Sequence, residues 1–320
     1  MKITVDNFIT DEMTNKVYIS NLINKKSSGF ETDAATELES CIKTFCPNFE
    51  LLFNTKDVWA RDYMPIQLTK DIYLSYTYKP DYLAENPKYV TNWQMHKVHA
   101  NGQLNFIFVQ MPIILDGGNV VKAMLENQPC MILCDKVLLE NNMTEIAFRD
   151  WWKHWWRENF SGSEMKLVLL PWEGKRLNPI GHADGMVRYI GEGRVLMTNY
   201  LDFDKKHGEK IKSALEAAFG QKNVKTLGYT KIFKDDEEFN NLISESWCYI
   251  NYLQVSNRIL IPSLGYNPLD QEAARQIGNA FNMKIQVETI NADMTSIVKD
   301  PKNDENSGGA LNCLTWTTME

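Results

Sequence analysis

Apolar positions recur at helical spacing in four stretches of the chain, 31–45, 144–158, 205–219 and 268–281, and each predicts an amphipathic helix. The last has Asn267 as a candidate N-cap, Pro268 at its first helical position and the acidic residues Asp270 and Glu272 in its first turns. The second contains W-W-K-H-W-W at 151–156, which reads as a packed aromatic face with His154 in a structural role. Between these stretches lie short β-rich runs: Ile72–Tyr78, Asn105–Leu115, Met131–Leu133, Lys166–Leu170, Met186–Ile190, Arg194–Asn199, Cys248–Val255, Arg258–Pro262 and Lys284–Thr289. Turns such as Glu192-Gly193 and Ser256-Asn257 separate them. No low-complexity linker marks a boundary, so residues 1–320 read as one domain.

A longer period overlies this pattern. Glycine- or polar-marked sites fall at Asp62, Asp116, His182, Asn251 and Cys313, at intervals of 54, 66, 69 and 62 residues by subtraction. Five units of that size, each mixing strands with a helix, would make an α/β propeller-like ring with one marked site per unit near its axis.

Composition narrows the function. The chain has 320 residues, 44% hydrophobic and 23% charged, which suits a protein with a sizeable core. A net charge of -7 argues against nucleic acid as the main partner and suits a small cationic substrate. The N-terminal M-K-I-T-V-D-N-F lacks the apolar core of a signal peptide, and no apolar run is long enough to span a membrane, so a cytoplasmic protein is expected. Six cysteines in a chain of this length do not form a disulfide framework; Cys130 and Cys134 read as buried strand residues. No second Cys or His pair stands at zinc-site spacing, so neither a metal nor any other cofactor is expected. A homo-oligomer is compatible with all of this.

Four segments carry chemistry. In G-H-A-D-G at 181–185, His182 and Asp184 would share one face of an extended strand. W-A-R-D-Y-M-P places Trp59, Arg61 and Asp62 together, and a buried aspartate beside an aromatic can hold a guanidinium, which offers five N–H donors in a plane. L-D-G-G-N at 115–119 reads first as a tight turn, with Asp116 a secondary candidate. In S-G-G-A-L-N-C, two glycines precede Cys313, a candidate nucleophile whose thiol is mostly protonated at neutral pH unless cations stabilise the thiolate. Taken singly, a polar turn, a surface Arg-Asp pair and an inert cysteine would explain three of these segments.

The ordered set W-A-R-D-x-x-P, D-G-G-N, G-H-x-D-G-x-x-R-Y and G-G-x-x-x-C-x-T resembles the agmatine deiminase and bacterial (Porphyromonas-type) peptidylarginine deiminase family, from about residue 55 onward. C-Y-I-N-Y-L-Q-V-S-N-R-I-L-I-P at 248–262 resembles that family's strand pair before its last helix. The resemblance implies the five-bladed α/β propeller, or pentein, fold of guanidine-modifying enzymes. It implies Cys313 as nucleophile, His182 as general acid and then base, and Asp62 and Asp184 as the guanidinium clamp, with Asp116 and Asn251 in peripheral or structural positions and Trp59 beside the substrate. Two departures stand out: Met64 where the family commonly has glycine, and Asn312 where it commonly has histidine.

The expected activity is hydrolysis of a guanidino group of agmatine, arginine or peptidyl-arginine to a ureido product and ammonia through a covalent Cys-thiouronium intermediate. An amidinotransferase using the same residues and a propeller that only binds are the alternatives, and a cysteine protease is poorly supported. Tyr78, Lys79 and Tyr82 are candidate contacts for the far end of the substrate.

Overall fold

The computed structural model describes residues 2–24, 32–85, 87–91, 107–161, 163–174, 180–298 and 308–320. The expected strand at Asn105–Leu115 therefore begins outside the described residues, as does the first residue of the helix expected at 31–45.

Along the chain, β1 (Lys16–Ser20), α1 (Thr32–Phe45) and β2 (Phe49–Leu52) precede a short helix α2 (Ala60–Tyr63). A second group follows with β3 (Ile66–Gln67), β4 (Ile72–Thr77) and β5 (Ile107–Ile114). The third comprises β6 (Val121–Leu125), β7 (Gln128–Cys134), α3 (Lys136–Glu140), α4 (Glu145–Asn159) and β8 (Lys166–Leu170). The fourth comprises β9 (Val187–Tyr189), β10 (Val195–Met197), α5 (Tyr200–Phe203), α6 (Lys205–Phe219) and β11 (Val224–Thr226). After α7 (Glu237–Leu242) come β12 (Leu253–Val255), β13 (Arg258–Ser263), α8 (Asn267–Ala280) and β14 (Gln286–Asp293). The chain closes with α9 (Thr295–Val298), α10 (Leu311–Leu314) and β15 (Thr315–Thr318).

These strands make five sheets of three, all with one plan. The middle strand pairs antiparallel with one neighbour and parallel with the other: β4 with β3 and β5, β7 with β6 and β8, β10 with β9 and β11, β13 with β12 and β14. The remaining sheet joins the two ends of the chain, because β1 pairs antiparallel with β15 and parallel with β2. In the other four sheets a short turn makes the antiparallel pair, as where Glu192 and Gly193 both take positive φ (55° and 69°), the geometry that matches strand twist. The parallel pairs need a crossover, and in four of the five sheets the described crossover carries an α-helix.

Each helix buries the stripe that its spacing predicted. Leu38, Ile42 and Phe45 face inward from α1, and Ile211, Leu215 and Phe219 from α6. In α4, Thr144 caps the first turn by accepting from the Ala147 amide, and Phe148, Trp152, Trp155 and Trp156 are buried. Trp152 settles its indole N–H on the Met165 carbonyl at 2.8 Å. His154 is 71% exposed on the opposite face, beside Glu158, so it takes no part in the aromatic packing. Cys130 and Cys134 are fully buried free thiols on β7.

Three expectations need correction. The N-cap of α8 is Tyr266 rather than Asn267, which is already helical; Pro268 sits in the first turn as expected. The run Cys248–Val255 is a strand only from Leu253; Ser246–Ile250 is a tight helical turn, with Cys248 bonded to the Glu245 carbonyl and Asn251 to that of Cys248. His182–Gly185 is likewise not a strand: Ala183–Gly185 form a single helical turn entered from an extended His182. Among the described residues no helix is long and apolar enough to cross a membrane.

Candidate active site

The corrections share a pattern that explains the 54-to-69-residue period. Each marked residue lies in or beside a short helical turn just before the first strand of one sheet: Asp62 in α2, Asp116 before Gly117–Asn119, His182 before Ala183–Gly185, Asn251 after Ser246–Ile250, Cys313 in α10. The turns touch one another in sequence, α2 with Gly117–Asn119, that turn with Ala183–Gly185, that turn with Ser246–Ile250, and α10 with α2. Asn251 closes the remaining step, accepting the Asn312 amide on its carbonyl at 2.9 Å and the Cys313 amide on Oδ1 at 3.2 Å. Residues up to 251 positions apart in sequence thus meet in one buried cluster.

Glycine is needed where these turns press together. A Cβ on Gly118 would stand 2.6 Å from both Asp62 Oδ1 and His182 Nδ1, and one on Gly309 would overlap the Trp59 ring. Gly118→Ala is therefore expected to cut activity at least tenfold, as misplaced reacting groups do, with a smaller proportional loss of stability. Parallel kinetics and melting curves check this; unchanged activity would contradict it.

Within the cluster, Cys313 Sγ lies 3.5 Å from Asp184 Oδ2. The same carboxylate oxygen accepts from Asn312 Nδ2 at 2.6 Å, while Asp184 Oδ1 is buried without a hydrogen-bond partner among the described residues. His182 Nε2 meets Asp116 Oδ2 at 2.9 Å, and its Nδ1 lies 3.6 Å from Asp62 Oδ1, which also accepts from the Gly118 amide at 3.2 Å. Tyr82 donates to Asp116 Oδ2 at 3.3 Å and sets its ring edge-on to the imidazole. Asn119 locks the turn by accepting the Cys134 and Ala183 amides on its Oδ1. Arg61 reaches the Asn312 side chain at 3.1 Å.

Charge is unbalanced here. Asp62, Asp116 and Asp184 converge on one imidazole, all nearly inaccessible to solvent. Burial alone would lower the His182 pKa, but the charge of Asp62 and the hydrogen bond and charge of Asp116 outweigh it and carry it to about 9. Burial lifts Asp62 far above the ordinary carboxylate range; the His182 charge opposes this, and Asp116 and Asp184 add to it. Burial likewise pushes the Cys313 thiol well above its usual value, and the Asp184 and Asp62 charges push it further.

All three shifts make the folded chain hold protons that the unfolded chain releases. An imidazole free at about 6.5 and held to about 9 contributes stability that is complete below the lower value and lost as pH rises through the upper. The raised Asp62 and Cys313 act in the same direction. The melting temperature of the ligand-free protein is therefore expected to fall between pH 7 and pH 9, and to fall less in His182→Asn; a rise across that window would contradict the assignment.

Sequence reasoning named most of this cluster. Asp62, Asp116, His182, Asp184, Asn251 and Cys313 all meet, and Trp59 packs against the glycine before the nucleophile segment. Asp116 is more central than its secondary rank, since it holds the imidazole directly. Tyr82 reaches the site, whereas Lys79 is exposed. Met64 is buried in the apolar core rather than left free to line the site. Asn119, Arg61 and the bonding role of Asn312 were missed; only the D-G-G-N and W-A-R-D motifs that contain two of them gave a signal. Ligand atoms of His182, Asp184 and Cys313 also lie within 4.8 Å of one another, a donor set that a zinc-like ion would accept.

The chain is an α/β protein built of five three-stranded sheets around this cluster. Its overall structure is shared with an arginine dihydrolase from cyanobacteria at a TM-score of 0.54 and 12% identity, over 96% of this chain and 39% of that one. Similarity to two agmatine deiminases is greater: that of Enterococcus faecalis, TM-score 0.66, 14% identity, covering 100% and 98% of the two chains, and that of C. jejuni, TM-score 0.65, 15% identity, covering 98% and 96%. The profile of the Porphyromonas-type peptidyl-arginine deiminases matches residues 15–318, and the chain belongs to that family. It is accordingly a hydrolase acting on carbon–nitrogen bonds, of the deiminase type. No curated protein matches it significantly in sequence.

Proposed function

We propose that the protein is a guanidine iminohydrolase working through a covalent Cys313 intermediate, on a guanidinium carried by a flexible chain of the agmatine, arginine or peptidyl-arginine type. The observation that carries this reading is the pair of buried carboxylates, Asp62 and Asp184, set around a thiol; among the described residues Asp184 Oδ1 has no hydrogen-bond partner, and His182 is the cationic group within 4 Å of Asp62 and Asp116. Such a site is short of positive charge, and a planar cation with five donors supplies both the charge and the hydrogen bonds.

In this mechanism the guanidinium enters between Asp62 and Asp184. Its charge offsets the effect that holds the thiol protonated, so the Cys313 proton is given up to solvent as the cation binds. The thiolate attacks the central carbon and forms a carbon–sulfur bond. Imidazolium His182, oriented by Asp116, donates its proton to the departing nitrogen, the carbon–nitrogen bond breaks and ammonia leaves. Neutral His182 then takes a proton from water, the resulting hydroxide attacks the thiouronium carbon, and the carbon–sulfur bond breaks as the hydroxyl proton passes to the departing Cys313 sulfur, giving the ureido product and the free thiol. A ring of five blades, with N- and C-terminal strands closing one of them, is the architecture we infer; the shared sheet plan and the successive contacts between turns support it. The whole chain then acts as one catalytic domain.

Acid-quenched turnover followed by intact-mass analysis tests the reading. The expected result is a Cys313 adduct of substrate less ammonia, and a ureido product whose oxygen carries the label of isotopic water. A new guanidino compound formed on an added amine, with no ureido product, would reassign the chain as an amidinotransferase.

A further inference from the structure

Asn312 precedes the candidate nucleophile and stands where relatives commonly have histidine, yet its side chain is not idle. Arg61, from α2, donates through Nη2 to Asn312 Oδ1 at 3.1 Å and through Nε to the Asn312 carbonyl at 3.3 Å. The same Nη2 also reaches Thr317 Oγ1 at 3.2 Å, which anchors the guanidinium to β15. An arginine can only donate, so the face of the Asn312 amide turned toward it must be the oxygen. That leaves Nδ2 facing Asp184 Oδ2, at 2.6 Å, and the amide orientation is fixed by its partners at both ends.

We infer that Asn312 is a positioning residue for Asp184: held in one orientation by Arg61, it occupies Oδ2 with a neutral donor and so keeps the unpartnered Oδ1 available to the substrate guanidinium. This rests on the guanidine-hydrolysis reading. The donor matters because Asp184 is 1% exposed and a buried carboxylate without hydrogen bonds would rotate toward whatever donor it could find. Its neutrality matters too. An amide does not titrate, whereas an imidazole at this position would change charge near neutral pH, so in this chain the Asp184 bond persists across the working pH range.

Asn312→Asp is the discriminating variant, because it keeps the shape and replaces the donor by a carboxylate facing Asp184. The charged and titratable groups facing that position are Arg61 from α2, Asp184 from the turn at 183–185 and, through the same cluster, Cys313, His182 and Asp62. At neutral pH the variant is expected to lose about 100-fold in kcat/KM, mostly through a higher KM, the effect of unpairing a hydrogen bond to a charged group. As pH falls toward 5 the introduced carboxyl gains a proton that can again be donated to Asp184, and the deficit relative to wild type is expected to shrink at least tenfold. A purely structural role would give a deficit independent of pH. Asn312→Ala, which removes the donor without adding charge, should show a loss of at least tenfold with a flat ratio to wild type.

Thermal melts confirm that each variant is folded. Alkylation of Cys313 by iodoacetamide supplies a readout that needs neither turnover nor substrate: Asn312→Asp should slow it and move its pH midpoint upward relative to wild type, and Asn312→Ala should not. If the wild type releases no ammonia from any guanidine, the functional reading fails, and the alkylation comparison alone then decides whether position 312 governs the carboxylate beside the thiol. Asn312→Asp with wild-type kcat/KM, or with a pH-independent deficit and unchanged alkylation, would overturn the inference.

Discussion

Cys313→Ala is expected to lower turnover of the cognate guanidine by on the order of 10⁴-fold or more, the scale seen when a covalent nucleophile is removed, while melting within a few degrees of wild type. The expectation follows from the site. The thiol is buried, its backbone amide is fixed by Asn251, and among the described residues Cys313 is the cysteine that stands with Asp184 and His182. Cys313→Ser should be equally inactive, because burial and the Asp184 and Asp62 charges that already raise a thiol would keep a hydroxyl fully protonated. A related result should separate a thiolate present in the free protein from one created by the substrate. A cationic amidine electrophile should inactivate the enzyme at least 100-fold faster than the neutral amide of the same shape, since only the former brings the compensating charge. Equal rates would show a thiolate formed without the substrate, and residual turnover in Cys313→Ala would remove the cysteine from the mechanism.

The second large effect concerns Asp62, where function and stability should move in opposite directions. Asp62→Asn keeps the shape and the oxygen that accepts the Gly118 amide but removes one of the charges facing the guanidinium. Loss of one partner from a buried charged pair commonly costs about 2–5 kcal/mol, so kcat/KM is expected to fall by about 30- to 5000-fold. In the ligand-free protein the same change removes a carboxyl whose charged form is disfavoured first by burial and further by the Asp116 and Asp184 charges, which hold its pKa well above the usual range. The variant should therefore melt about 2 °C higher than wild type despite its lost activity. Kinetics and melting curves on one preparation check both halves. A variant that melts lower and binds substrate normally would place Asp62 in the scaffold rather than in the clamp.

How much of this was legible in the sequence depended on whether the signal was local. The stripe Ile211, Leu215 and Phe219 declares α6 by its own spacing, and Cys130 and Cys134 were recognisable as buried strand residues from their apolar neighbours. The turn at 246–250 was not, because Cys248, Tyr249 and Ile250 are all buried, and a continuous apolar run carries no periodicity to separate strand from turn. G-H-A-D-G does not follow the strand reading: its two polar side chains converge through a helical turn rather than through alternation. The ordered motifs brought out the cluster members, yet the partnerships among them are tertiary. Nothing near Asp116 shows that His182, 66 residues on, will lie 2.9 Å from its carboxylate. Asn312 showed only as a departure from a common residue, and its meaning came from Arg61, 251 positions away.

The most direct test of the central claim is ammonia release by the purified protein over a panel of agmatine, arginine, a C-terminal-arginine peptide and an internal-arginine peptide, with Cys313→Ala beside it. The account predicts stoichiometric ammonia and ureido product from at least one of them, absent in the variant. Ammonia release that survives in Cys313→Ala, or none from any guanidine by the folded wild-type protein, would contradict it.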